Sequence, residues 1–175
     1  MRRYEMAGLQ SVTSSDVTIL PLGLAGILNV PKAALGLIVF AHGSGSSHHS
    51  SRNTAVGQAL NKHGFATLLF DLLTQREEAN RANVFDISLL AERLVQAVQW
   101  LDGQGQFISE LPIGLFGAST GAAAALVAAA RMPERIKAVV SRGGRRDLAG
   151  DALPMIRASD TAHRRRCRLW SDRTE

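Results

Sequence analysis

The sequence predicts an α/β protein with a mostly parallel sheet and flanking helices, and three observations carry that prediction. Short apolar runs alternate with longer helical patterns from residue 13 to residue 142, the order expected of parallel strands joined by crossover helices. Neither an internal repeat nor a long Ser/Gly linker interrupts them. At 112–132, "PIGLFGASTGAAAALVAAARM", a strand pattern passes through a glycine-flanked turn directly into a helical one. A length of 175 residues with 46% hydrophobic content suits one domain with a real core.

Taken in order, "DVTIL" (16–20) and "LAGILNV" (24–30) lie close enough, around Pro21, to form a hairpin. "LGLIVFA" (35–41) is a buried-strand run, followed by a Gly/Ser loop. "NTAVGQALNKHG" (53–64) places Val56, Leu60 and the aliphatic part of Lys62 on a helix ending at Gly64, and His63 there complements the helix dipole. "FATLLF" (65–70) is the next strand; Asp71 ends it and is expected to cap the turn into "LLTQREE". "DISLLAERLVQAVQWL" (86–101) has Asp86 as N-cap and Ile87, Leu90, Leu94, Val98 and Leu101 at helical spacing. "PIGLFG" (112–117) and "IKAVVSR" (136–142) are strands on either side of the alanine-rich helix, and the edge beside "IKAVVSR" is expected to be exposed and open to self-association.

Composition narrows the function classes. No apolar run approaches the roughly 20 residues of a membrane span, and the first sixteen residues lack the apolar stretch of a secretory signal, so a cytoplasmic address and no membrane partner are expected. A single cysteine, Cys167, excludes an intramolecular disulfide and a cysteine cluster for zinc; no metal and no cofactor are expected. Residues 1–141 hold eleven Lys/Arg against ten Asp/Glu, whereas residues 142–175 hold nine Arg against five Asp/Glu, so the +5 net charge belongs almost wholly to the tail.

The turn at 117–121, Gly117-Ala118-Ser119-Thr120-Gly121, fits G-x-S-x-G, the nucleophile elbow, and it has the strand before and the helix after that the motif requires. Such a turn lifts the serine Oγ above the sheet, where the helix N-terminus stabilises negative charge. The competing reading of Ser119 is a helix N-cap in a packing turn.

Together, "VFAHGSGSSHHSSRN", "LLFDLLT", "GLFGASTGA" and "VVSRGG" resemble, over residues 15–158, an α/β-hydrolase of the dienelactone-hydrolase-like group. That resemblance implies an α/β-hydrolase-like sheet and hydrolysis of a small carboxylic ester or lactone through a Ser119 acyl-enzyme. Thr120 would supply one oxyanion-hole N–H, and the loop after "LIVFA" the second, near Ser44, with His42 and Gly43 shaping that loop. Some members of the group carry an attached phosphoribosyltransferase domain, and no part of these residues reads as one.

The acid and base are the weak point. His48 and His49 read as surface residues of a Ser-rich loop, and by position alone only Asp147 and His163 are left to complete a triad in the order Ser, Asp, His. On the resemblance, the last strands and the closing helix are missing, with 1–158 an incomplete hydrolase domain and 159–175, "SDTAHRRRCRLWSDRTE", a basic tail without a strand. Degenerate codons for that tail, read one base later, permit P-T-L-L-I-V-G-G-A-D, a strand run with a Gly-Gly-x-Asp turn. The tail is therefore expected to be a frameshifted, loosely attached segment and no nucleic-acid patch, and the chain a poor catalyst. The alternatives are a catalytically inactive binding protein on the same fold and a nucleotide-binding α/β module. Against the module, "GLFGASTG" matches neither phosphate-loop glycine pattern.

Overall fold

The computed structural model describes residues 11–43, 45–143 and the strand Arg168–Ser171. Its elements are β1 (Val12–Ile19), β2 (Leu24–Pro31), β3 (Gly36–Ala41), α1 (Ser51–Lys62), β4 (Phe65–Phe70), α2 (Gln75–Glu78), α3 (Arg81–Phe85), α4 (Ile87–Asp102), α5 (Gln106–Ser109), β5 (Ile113–Ala118), α6 (Thr120–Arg131), β6 (Ile136–Arg142) and β7 (Arg168–Ser171). The strands form a single sheet in the order β1-β2-β4-β3-β5-β6-β7. β1 and β2 pair antiparallel, β2 pairs antiparallel with β4, and the pairings from β4 through β3, β5 and β6 to β7 are all parallel.

Side-chain alternation divides the sheet's two faces. Leu37, Val39 and Ala41 of β3, Ala66, Leu68 and Phe70 of β4, and Ile113 and Leu115 of β5 join the main core with α4 and α6. The alanines of α6 explain how closely those layers approach. Ala122 to Ala125 are fully buried, so the helix presents almost no side-chain thickness to β5, β6 and α4. α4 buries Leu90, Leu94, Val98 and Leu101 along one stripe, and its Asp86 accepts a hydrogen bond from the Leu89 N–H at 3.0 Å as N-cap. Asp86→Ala is expected to lower stability by about 1 kcal/mol, read as a shift in urea midpoint without a change of slope.

Four expectations are corrected. In α1 the buried face is Asn53, Gly57 and Asn61, with Val56 and Leu60 only half-buried and Lys62 exposed. A Cβ on Gly57 would lie 3.4 Å from Leu69 Cδ1, and Asn61 Nδ2 donates to Phe65 O (2.9 Å) and to Thr67 Oγ1 (3.2 Å), so a satisfied amide replaces apolar packing. Asp71 does not cap the turn after β4: Thr74 caps α2, in a reciprocal box with Glu77. Within the stretch expected to hold no strand, Arg168–Ser171 forms β7, in parallel register from Ala138↔Arg168 to Ser141↔Ser171. The β6 edge expected to be exposed is therefore paired there. A parallel edge is a row of unpaired backbone groups, and it recruits a short Leu-Trp segment without needing periodicity in it.

Candidate functional site

The residues that follow β3, β5 and β6 come together around Ser119. β5 ends at Ala118, α6 begins at Thr120, and Ser119 between them has φ 53° and ψ −125°, the only positive φ among the described non-glycine residues. Three glycines make the turn possible by closeness. A Cβ on Gly117 would lie 2.5 Å from Ala122 Cα, and one on Gly43 2.9 Å from Ser119 Cβ. On Gly121 it would overlap the Ala41 carbonyl oxygen and reach to 2.5 Å from that of His42. The ends of β3 and β5 and the first turn of α6 are thus in direct backbone contact.

Ser119 is exposed, and its side chain makes no capping hydrogen bond to α6. Ser119 thus holds the N-cap position of α6 without a capping bond, and among the described residues its hydroxyl has no hydrogen-bond partner. Thr120 is 4% exposed. Its N–H, the first of α6, is one of the donors a helix leaves unpaired at its N-terminus, where the dipole also favours negative charge.

Two hollows flank Gly43 and Ser46. One, of about 510 Å³, is lined by Ser119, Gly43, Ser50, Arg52 and Arg142 among others, so the serine lies in a basic cleft. Arg142, from the end of β6, also places its guanidinium 5.9 Å from the centre of the Phe116 ring. The other, of about 230 Å³, has Leu72, Leu73, Val84 and Leu90 on its apolar side and His42, Asp71, Glu78 and Thr120 among its polar lining, in nearly equal share. Beside it, Glu77 is held below its ordinary pKa. Burial alone would raise it, but hydrogen bonds from the Thr74 backbone and from Arg93, the Thr74 hydroxyl and the Arg93 charge outweigh burial.

His48 is not the surface residue expected. It is half-buried, donates its backbone N–H to Asp71 Oδ1 at 2.8 Å, and places Nδ1 2.8 Å from Asp71 Oδ2. His49 is exposed, its ring centre 3.8 Å from that of His48 with the planes tilted by 42°, and His63 closes α1 as its C-cap, exposed as well. His42 Nε2 accepts from the Leu72 N–H at 3.3 Å while Nδ1 lies 3.0 Å from Gly43 O, so the ring joins the start of the β3–α1 loop to the segment after β4. Sequence order hid the His48–Asp71 contact. The signal that could have found it is that β3 and β4 are neighbours, which brings the loops leaving them together.

Of the other site residues named from the sequence, Ser44, Asp147 and His163 lie outside the described residues. Among the described residues, no histidine or carboxylate is hydrogen-bonded to Ser119, and no group of three or more His, Cys, Asp or Glu is placed to hold a metal ion. No described helix is long and apolar enough to cross a membrane.

Residues 36–173 match the family model described as the alpha/beta hydrolase fold. A crystal structure of dienelactone hydrolase from Anabaena variabilis is similar with a TM-score of 0.76 and 50% identity, over 84% of this chain and 69% of that one. Est1E from Butyrivibrio proteoclasticus, 22% identical with a TM-score of 0.56 over 71% of this chain and 49% of that one, shares the fold. In two strains of Mycobacterium tuberculosis, proteins provisionally named phosphoribosyl transferases are 61% identical over 136 residues, 78% of this chain. The aligned stretch spans 30% of the length of those relatives.

Proposed function

The chain belongs to the α/β-hydrolase fold family, in its dienelactone-hydrolase-like group, and from that membership we propose that it hydrolyses a small carboxylic ester or lactone through an acyl-enzyme on Ser119. The observation that carries the reading is Ser119 itself, held at φ 53° on a strand-to-helix turn, its hydroxyl without a capping bond to α6 and lining a cleft. In this mechanism Ser119 Oγ attacks the substrate carbonyl carbon, and the alkoxide oxygen that forms takes a hydrogen bond from the Thr120 N–H and a second from the loop after β3. The tetrahedral intermediate collapses, the alcohol leaves with a proton, and water then attacks the acyl carbon to release the acid and restore Ser119. In a lactone the leaving alcohol and the acid belong to one product molecule. By position alone Asp147 and His163 are the pair left to act as acid and base, and without a well-placed base the chain is expected to turn over slowly; a cytoplasmic address belongs to the same proposal.

The direct test treats the folded protein with a fluorophosphonate and locates the adduct by peptide mass. Incorporation at Ser119 supports the reading. A folded protein that takes up no reagent overturns it and leaves a binding protein on a hydrolase fold.

Arg52 and Arg142 give the cleft a preference for substrates that carry negative charge near the ester. Arg142→Ala is expected to raise KM about tenfold for a carboxylate-bearing ester and to leave a neutral ester of the same size nearly unchanged, the loss expected for one charge-assisted contact. Steady-state kinetics with the two esters side by side check it.

A further inference from the structure

We propose that Asp71 is a positioning residue that, through His48, holds the β3–α1 loop against Ser119; the inference rests on the acyl-enzyme reading above. Asp71 follows directly after β4, and its own N–H is fixed to Ala25 O of β2 at 2.9 Å, so the carboxylate is mounted on the rigid sheet. Both of its oxygens are used by a single loop residue, Oδ1 by the His48 N–H and Oδ2 by Nδ1, each at 2.8 Å. A two-point attachment of this kind fixes orientation as well as distance, because neither bond can be kept if the loop rotates. His42 is the second tether. Its Nε2 accepts the Leu72 N–H, which fixes the neutral tautomer with the proton on Nδ1, and Nδ1 then donates to Gly43 O. The two tethers thus end on adjacent residues after β4, His48 on the Asp71 carboxylate and His42 on the Leu72 backbone.

What the tethers hold is Gly43, which approaches Ser119 so closely that a Cβ on it would lie 2.9 Å from Ser119 Cβ and 3.2 Å from Ala118 O. Any backbone donor that this loop offers to the oxyanion depends on that approach. Oxyanion donors act only when pre-placed, and a displacement of about 1 Å is enough to cost on the order of 10²-fold in rate. Asp71 lines the smaller hollow beside Thr120, but both of its oxygens are taken up by His48, and neither bond from His48 leads to Ser119. Its effect should therefore fall on kcat and on Ser119 acylation, with KM nearly constant.

The test compares Asp71→Ala, His48→Ala and His48→Asn with Asp102→Ala, which removes the Asp102–Arg135 ion pair far from the cleft. The readouts are the rate of fluorophosphonate incorporation at Ser119, the kcat and KM for an ester, and amide deuterium exchange of residues 42–50. Asp71→Ala is expected to slow incorporation and kcat about 10²-fold, to leave KM within about twofold, and to speed exchange across the loop. His48→Ala should do part of this, and His48→Asn, whose amide can still donate to Oδ2, should recover most of it. Asp102→Ala should change none of the three. Unchanged incorporation and kcat in Asp71→Ala, with wild type labelled, overturns the positioning role while leaving the acyl-enzyme reading intact. Wild type that takes up no reagent overturns the acyl-enzyme reading instead, and exchange then decides the tether alone: no faster exchange in Asp71→Ala than in Asp102→Ala overturns it.

Discussion

Ser119→Ala is expected to abolish fluorophosphonate incorporation and to reduce ester turnover by at least about 10²-fold, to the residual level that binding and oxyanion donors give without a nucleophile. The substitution is a clean deletion for structural reasons. Ser119 is exposed and its side chain makes no capping bond, so removing the hydroxyl leaves no buried group unpaired and creates no cavity. Alanine also keeps the Cβ, so the φ of 53° stays as strained as before and the melting temperature should move little. Ser119→Gly is the informative partner. It removes the same oxygen but relieves the strain, and it should be as inactive as Ser119→Ala yet more stable by about 1 kcal/mol. Equal turnover in Ser119→Ala and wild type would sink the acyl-enzyme, whatever the stability data show. A His163→Ala arm adds the base: a fall in turnover comparable to that of Ser119→Ala would place proton transfer at His163, and no fall would remove it from the mechanism.

The elements whose own residues determine them were legible in the sequence. Phe65–Phe70, Ile136–Arg142 and the Asp86 cap fall where apolar runs and cap chemistry put them, because a buried strand or an amphipathic helix writes its period into the chain. Ser119 was legible for a related reason: the glycines, the strand and the helix it needs are all local in sequence. What was hidden is what strand order creates. His48 and Asp71 are 23 residues apart, and nothing near either one announces the other. They meet because β3 and β4 lie side by side in the sheet. The inner face of α1 misled for a different reason, since Asn61 is buried on the strength of two hydrogen bonds that come from the strand after it. β7 was unreadable because its pairing is provided by the edge of β6, and backbone ladders are indifferent to the arginine-rich sequence around 168–171.

Gly121→Ala should be the most damaging of the Gly→Ala changes at the glycines whose surroundings are described, lowering stability by at least about 3 kcal/mol or preventing folding. The reason is space and not conformation. Gly121 is not in the left-handed region, so an alanine could adopt its backbone angles, but the new Cβ would overlap the Ala41 carbonyl oxygen and crowd that of His42. Both obstacles are backbone. Ala41 is the last residue of β3 and is in register with Gly117 of β5, so it cannot swing aside without breaking the centre of the sheet. Relief can come only by lifting the first turn of α6, and with it the Thr120 N–H and Ser119, away from β3. Gly103→Ala is the matched control, since its Cβ would meet nothing closer than the Trp100 carbonyl at 3.4 Å, and it should change stability by no more than about 0.5 kcal/mol. Urea titration of the two variants measures the difference, and equal midpoints would mean that α6 does not approach β3 as described. The elbow thus separates two demands. Ser119 takes the strained angles where its side chain has open space, while Gly117 and Gly121, where there is no space, carry no side chain at all, and only that division lets an exposed serine stand on a fully packed core.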